Sequence, residues 1–331
     1  MEKIAVLDGY TLNPGDIDWL EFEGLGHLAL YDRTSLEELV SRSRDCSCIL
    51  VNKVPISEDI LSQLPNLTYI GVLATGYDVV DVKAACDRGI VVTNIPEYGT
   101  NSVAQHTIAL MLEFARGVGM HHQKVKSGLW SQSQDWCFSS KPMFELSGKT
   151  LGIIGLGRIG RQVAKICASM GMKIIAYSPN WPNNEVLHGL QVKRASVEEI
   201  HTQSDVISLH CPLQASTYHM IDAEAIGLMK SNALIINTSR GELINNEALA
   251  RALHRDFIGG AALDVLDSEP PSEGHPLLSA PNCLLTPHIG WNAIEARQKL
   301  MTMAADNLRA FLAGRPINVI SEPDESGTAT T

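Results

Sequence analysis

GKTLGIIGLGRIGRQVAKICASMGMKIIAYS, residues 148–178, is the stretch whose reading decides the fold. An apolar run at 151–154 enters Gly155-Leu156-Gly157-Arg158-Ile159-Gly160, an apolar-periodic segment follows to about Met170, and a second apolar run spans 172–177. Strand, glycine turn, helix and strand in that order are the context that a dinucleotide fingerprint requires; the glycine spacing alone would carry little weight. Gly155 allows the turn, Gly157 lets the backbone approach a pyrophosphate, and Gly160 lets the helix pack closely on its sheet. The anion is expected on the unpaired N–H groups at the helix start, with Arg158 and Ile159 completing the contacts.

Outward from this unit the same alternation continues. Upstream, residues 4–8 (IAVLD), 48–51, 67–73 and 89–93 read as strands, and 35–42, 57–64 and 80–88 as short helices. Downstream, strands are expected at 206–209, 233–237, 259–264 and 283–286, and helices at 197–202, 223–228 and 245–254. Strands alternating with helices imply mostly parallel sheets covered by helices. Over 101–126, Val103, Ala104, Thr107, Ile108, Met111, Leu112 and Ala115 fall at helical spacing. They predict one long helix, with Ser102 as its cap. Residues 127–147 are irregular, and Trp130, Trp136, Phe138 and Phe144 are expected to pack that loop. A last helix is expected over 294–312, stopped by Gly314 and Pro316, and the closing PDESGTATT is expected to fray.

The chain has 331 residues, beyond the size at which one core keeps growing, so two domains are expected, 1–101 plus 293–331 and 102–292. Both read as doubly wound α/β units, whose sites lie beyond the carboxyl ends of the strands. A formal charge of −11, from 26 basic and 37 acidic side chains, argues against a general nucleic-acid or anionic-membrane surface. It leaves room for a local basic pocket for a small anion. Seven cysteines lack metal or redox spacing and read as reduced, packed thiols, with no metal site. MEKIAVLDGY does not resemble a secretory signal, and no stretch reaches eighteen consecutive apolar residues, so a cytoplasmic location is expected.

Three polar residues follow apolar strands in the last third: Arg240 in NTSRGEL, Glu269 in LDVLDSEPP and His288 in LLTPHIGW. Taken singly, Arg240 reads as a strand-end ion-pair residue, His288 equally as a packed core histidine or a functional one, and Glu269 as turn chemistry or a helix start. Their joint occurrence downstream of the glycine turn points to catalysis. An arginine fork binds a carboxylate through two charge-assisted hydrogen bonds, and a histidine beside a glutamate can carry a proton near neutral pH. Together with a nicotinamide, these groups suffice to reduce a 2-oxo acid. Ala74-Thr75-Gly76-Tyr77-Asp78 offers backbone N–H groups for the other side of the carboxylate, or is a simple strand-to-helix turn. Lys53 is a further candidate for the anion. Thr238, Asp264 and His210 are candidate cofactor contacts, the last equally a packed histidine.

At these residues the chain resembles the D-isomer-specific 2-hydroxyacid dehydrogenase family. The resemblance rests on LGIIGLGRIGR at 151–161, DVISLHCPL at 205–213, INTSRGELINNEAL at 236–249, GAALDVLDSEP at 260–270 and TPHIGW at 286–291. It implies a larger Rossmann nucleotide domain and a flavodoxin-like substrate domain. It further implies that Arg240 binds substrate, that Glu269 pairs with the catalytic His288, and that Asp264 anchors the nicotinamide amide. Thr75 and Gly76 match the turn that contacts substrate; Pro212, Ser239 and Gly290, inside the motifs, are expected to touch the cofactor. Many relatives carry glutamate where this chain has Gln105. Within the family, 93–105 (TNIPEYGTNSVAQ), 74–81 (ATGYDVVD), Asn52-Lys53 and Trp291 are most similar to the glycerate dehydrogenase, or hydroxypyruvate reductase, branch. That branch implies hydroxypyruvate or glyoxylate reduction and a homodimer formed through the nucleotide domains. Dehydrogenases for 3-phosphoglycerate or another D-2-hydroxy acid, and an NAD(H)-sensing corepressor, are the competing readings. Ser178 stands where an acidic ribose partner is common, which admits NADP beside NAD. Lys193 and Arg194 are expected to lie too far away to replace it, and NAD is expected ahead.

Overall fold

The computed structural model describes residues 2–183, 187 and 189–320, so the expected fraying of 323–331 lies outside the described residues. Contacts divide the chain into one unit up to Gly99 and from Asn292 onward, and a second unit over Thr100–Trp291.

The first unit contains β1 (Lys3–Val6), α1 (Leu20–Glu23), β2 (His27–Leu30), α2 (Leu36–Ser43), β3 (Cys48–Val51), α3 (Glu58–Leu61), β4 (Tyr69–Val72), α4 (Val82–Asp87) and β5 (Val91–Thr93). The strands form one parallel sheet in the order β2-β1-β3-β4-β5, the flavodoxin-like order. Every residue of β3 and β4 is buried, which is why these inner strands read as uninterrupted apolar runs. Helix α2 starts in a capping box, with Ser35 Oγ accepting the Glu38 N–H while the Glu38 carboxylate accepts the Ser35 N–H.

The second unit begins with α5 (Thr100–Arg116) and α6 (Val118–Lys126). The single helix expected over 101–126 is therefore two. Gly117 breaks it by taking the left-handed conformation, φ +58° and ψ +41°, which glycine enters without a Cβ penalty. Ser102 is not a cap either; it lies inside the first turn of α5. That helix buries Ala104, Thr107, Ile108, Leu110, Met111 and Ala115, the stripe its periodicity predicts, whereas α6 buries none of its residues. In the loop that follows, Trp136 is 86% exposed and so does not pack as expected.

Then come β6 (Thr150–Ile154), α7 (Arg158–Ser169), β7 (Lys173–Tyr177), β8 (Lys193–Arg194), α8 (Val197–Gln203), β9 (Val206–Leu209), α9 (Ala223–Gly227), β10 (Leu234–Asn237), α10 (Asn246–His254), β11 (Gly260–Leu263) and β12 (Cys283–Leu285). They form a parallel seven-stranded sheet, β12-β11-β10-β9-β6-β7-β8, a Rossmann arrangement with an extended edge. One apolar cluster joins β6 and β7 to α5 and α7, and a second gathers α8, α9 and α10. Helix α11 (Ile294–Leu312) returns the chain to the first unit, where its buried Arg297 forms a two-pronged ion pair with Asp16, 2.7 and 2.6 Å.

No helix among the described residues is long and apolar enough to cross a membrane. All seven cysteines are free, and burial pushes the thiols of Cys48 and Cys211 up to about 11 and those of Cys167 and Cys283 up to about 12. Those four are packing groups rather than nucleophiles. Among the described residues no group of three or more histidine, cysteine, aspartate or glutamate side chains could hold a metal ion.

Candidate active site

All strands of the second unit run parallel, so the loops that leave their carboxyl ends gather on one edge of the sheet. The glycine turn leaves β6 there. Gly155 has φ +98°, and a Cβ on it would stand 2.5 Å from the backbone of His210. A Cβ on Gly160 would stand 2.2 Å from the Gly155 carbonyl oxygen. These two glycines serve the fold. Gly157 differs: a Cβ there would meet nothing within 4 Å, and as the N-cap of α7 it offers no side-chain cap. The space beside Gly157 at the start of α7 is thus open, and no side chain caps the helix there. Arg158 opens the helix, and Arg161 is pushed below its ordinary pKa, first by burial and then by the Arg158 charge. Two guanidinium groups held near each other at a helix start favour an anion, and the turn fits a dinucleotide pyrophosphate. Ile159 packs against the core beside α5.

Ser178 follows β7, and its hydroxyl donates to the Asn180 carbonyl at 3.0 Å. Arg194 is not distant from this strand. It is the register partner of Ala176 in the neighbouring β8, and its guanidinium lies 5.5 Å from the Trp181 ring centroid. After β9, His210 Nε2 is 2.8 Å from Ser208 Oγ, and burial pushes its pKa down to about 4, so the imidazole is neutral. Pro212 beyond it is exposed, and its carbonyl accepts the Thr217 hydroxyl at 2.8 Å.

The loop after β10 carries Thr238, Ser239 and Arg240. Thr238 Oγ1 is 3.0 Å from Thr107 Oγ1 on α5, and Ser239 Oγ donates to the Cys211 carbonyl at 2.6 Å. The residue that braces this loop is one the sequence reading passed over. Asn237, fully buried, accepts the Ser239 N–H at 2.9 Å through Oδ1 and donates from Nδ2 to the Arg240 carbonyl at 2.7 Å. A polar residue closing the apolar strand Leu234–Asn237 was the available signal. Arg240 is half-buried, and its Nη1 donates to the Ser239 carbonyl at 2.8 Å.

Asp264 and Glu269 lie on the loop after β11, and His288 on the loop after β12. His288 Nδ1 is 2.6 Å from Glu269 Oε2, while Glu269 Oε1 accepts the Leu266 N–H at 3.0 Å. An ionised carboxylate only accepts, so Nδ1 carries the hydrogen and Nε2 stays outside this pair. His288 adopts φ +54°, a left-handed conformation uncommon for a non-glycine residue. Asp264, 3% exposed, holds it there: its carbonyl accepts the His288 N–H at 2.8 Å. Its Oδ1 accepts the Ile289 N–H at 2.9 Å and the Thr286 hydroxyl at 2.6 Å, and Oδ2 accepts the Gly290 N–H at 2.8 Å. Burial pushes the Asp264 pKa up, but hydrogen bonds from His106, Thr286, Ile289 and Gly290 outweigh it and leave the carboxyl below its ordinary value. Oδ2 retains acceptor capacity for a carboxamide. Trp291 Nε1 closes the loop by donating to the His288 carbonyl at 2.9 Å.

In the first unit, Lys53 follows β3 and Thr75 and Gly76 follow the adjacent β4, again at carboxyl ends of a parallel sheet. Asp8 organises the Lys53 loop, its carboxylate accepting the N–H groups of Asn52 at 2.8 Å, Lys53 at 2.5 Å and Val54 at 3.1 Å. Thr75 Oγ1 donates to the Ile95 carbonyl at 2.7 Å, and its own carbonyl accepts from Asn94 Nδ2 at 2.7 Å.

Comparison with known proteins gives a consistent result. The family described as D-isomer specific 2-hydroxyacid dehydrogenase, NAD binding domain, matches residues 108–290. A hydroxypyruvate reductase of Blautia hydrogenotrophica is 47% identical over 97% of this chain and 100% of its own length. A glycerate dehydrogenase of Methylorubrum extorquens is 40% identical over 96% and 99%. The solved structure of an NADPH-dependent glyoxylate/hydroxypyruvate reductase from Sinorhizobium meliloti, in complex with NADP and malonate, aligns with TM-score 0.80 at 28% identity, covering 97% of each chain. The chain belongs to the D-isomer-specific 2-hydroxyacid dehydrogenase family and is an NAD(P)-dependent enzyme that transfers hydride between its cofactor and a small 2-oxo or 2-hydroxy acid.

Proposed function

We propose that this enzyme reduces hydroxypyruvate to D-glycerate and accepts glyoxylate, giving glycolate. The observation that carries the chemistry is the 2.6 Å contact between His288 Nδ1 and Glu269 Oε2, on the sheet edge that also bears Arg240. The bound reduced nicotinamide supplies the hydride to the substrate carbonyl carbon. Arg240 pairs its guanidinium with the substrate carboxylate and stabilises charge on the carbonyl oxygen. His288 gives its Nε2 proton to that oxygen, and Glu269 holds the ring in the productive tautomer and stabilises its charged form. In the oxidative direction His288 takes the proton back. Within the first unit, backbone N–H groups at Thr75 and Gly76, with Lys53, are the groups we propose for carboxylate contact.

The choice among 2-oxo acids draws support from two near-full-length relatives named for the two directions of one reaction. A phosphorylated substrate such as 3-phosphoglycerate would call for a further cation besides Arg240, and Lys53 is the one basic side chain assigned to the substrate in the first unit. NADH is the preferred donor in this reading, and Arg194 beside Ala176 supports NADPH as a second one. We also propose a homodimer formed through the second unit. Exposed Leu129, Trp130, Trp136 and Met143 support it, as does α6, which buries no residue within the chain.

Initial rates with hydroxypyruvate, glyoxylate, pyruvate and 3-phosphohydroxypyruvate, each with NADH and NADPH, test the assignment. Highest kcat/KM with hydroxypyruvate is expected. A higher value with the phosphorylated acid, or no turnover with any of them beside NAD(H)-dependent capture of a protein partner, would replace it with the corresponding competing reading.

A further inference from the structure

We infer that Ser102 and His106, four residues apart on α5, are positioning residues that hold the His288 loop in its reactive conformation. Residues at that spacing share one helix face, and here the face meets both ends of the loop. Ser102 Oγ donates to the Gly290 carbonyl at 2.6 Å. His106 Nε2 lies 3.0 Å from Thr286 Oγ1 and 3.2 Å from Asp264 Oδ1.

The protons in this cluster can be assigned. Thr286 donates its hydroxyl hydrogen to Asp264 Oδ1 at 2.6 Å, and an ionised carboxylate only accepts. His106 Nε2 must therefore carry the hydrogen it gives to the pair. The loop also lies hard against this helix: a Cβ on Gly290 would stand 3.0 Å from Asp264 Oδ2 and 3.4 Å from His106 Cδ2. Thr286 on one side of His288 and Gly290 on the other are thus both fastened to α5. Asp264, between them, receives the N–H groups of His288, Ile289 and Gly290. A left-handed histidine persists where its surroundings over-determine it. The donors on α5 complete that constraint and set the direction in which Nε2 points.

The proposal rests on His288 as the proton carrier, and the test separates the two. Full-length H106A, H106Q, S102A and H288A are compared with the parent for melting temperature, kcat, both KM values with hydroxypyruvate and NADH, and the solvent deuterium isotope effect on kcat. Misplacing a reacting group by a fraction of an ångström to one ångström lowers the rate by about tenfold to a hundredfold, so H106A should lose that much in kcat. Its KM for NADH should stay within about threefold and its solvent isotope effect should rise, because proton delivery slows selectively. H106Q, which keeps an N–H donor near the same position, should recover most of the loss. S102A should lose about threefold or more in kcat. A kcat for H106A within about twofold of the parent, a loss confined to the KM for NADH, or an H106Q as slow as H106A would overturn the clamp. Should H106A not fold, S102A decides alone, and a parental kcat there overturns it. An active H288A would instead remove the reading of His288 on which the clamp stands.

Discussion

His288 and Glu269 meet at 2.6 Å from loops that leave neighbouring strands, and the glutamate's other oxygen is tied to the Leu266 N–H. One carboxylate oxygen is thus anchored to the backbone and the other to the imidazole, which fixes the ring's orientation as well as its charge partner. Replacing Glu269 with Gln keeps the size but removes the charge. It also lets an amide N–H face Nδ1, which would select the wrong tautomer. E269Q is expected to keep its melting temperature within a few degrees and lose roughly a hundredfold or more in kcat for hydroxypyruvate reduction. A parental kcat would show that His288 does not depend on this partner.

The three glycines of the β6 turn divide by what surrounds them. G155A must accommodate a positive φ and a Cβ 2.5 Å from His210 backbone atoms, and G160A a Cβ 2.2 Å from a carbonyl oxygen. Backbone cannot yield as a flexible side chain would, so both variants should melt well below the parent or fail to accumulate. G157A meets nothing within 4 Å and should fold normally. Its added methyl would enter the open space proposed for the pyrophosphate, so NADH affinity should fall by about tenfold or more in a fluorescence titration. Equal melting temperatures for all three variants would contradict this division.

Asn237 predicts a different kind of loss. Its amide satisfies the Ser239 N–H and the Arg240 carbonyl in a fully buried position. N237A leaves both unpaired, at a cost of about 1–3 kcal/mol each if water cannot replace the amide. Below the melting transition the variant should show a raised KM for hydroxypyruvate, since the loop that presents Arg240 is loosened. An unchanged KM together with unchanged stability would deny Asn237 this bracing role.

Two histidines of the second unit set an acid limit on stability. Burial pushes His210 down to about 4, and burial lowers His201 against the opposing pull of Asp222. Both bind protons more readily unfolded, near pH 6.5, than folded. Their contribution is therefore complete above about pH 6.5 and is lost as pH falls toward the folded values, by about 3 kcal/mol at most for His210 at pH 4. The cofactor-free protein should melt progressively lower between about pH 6.5 and pH 5, and H210Q should flatten that slope. A melting temperature constant across this window would contradict the assignment.

Much of this architecture is legible in the sequence because the inner strands are buried on both faces. Cys48–Val51, Val206–Leu209 and Gly260–Leu263 carry no polar residue facing solvent, and they read as short apolar runs. Edge elements leave no such trace. His27–Leu30 has no fully buried residue, and Lys193–Arg194 is two exposed cations, so neither strand declared itself. The break at Gly117 was hidden because its neighbours on both sides suit a helix and only the backbone angle of one residue ends it. Arg240, Glu269 and His288 stood out as polar groups in the segments that follow apolar strands. Ser102 and His106 did not, because they sit beside the apolar stripe of a long helix and their partners are 188 and 180 residues away. Local pattern cannot report contacts of that separation.

In the proposed mechanism His288 carries the proton that accompanies hydride transfer. This role is tested most directly by the steady-state rate of NADH oxidation by hydroxypyruvate in H288A, at saturating substrate and with a melting temperature matched to the parent. A fall in kcat of about a hundredfold to ten-thousandfold is expected, the range that a positioned acid contributes. A folded H288A that turns over within about tenfold of the parent would contradict it.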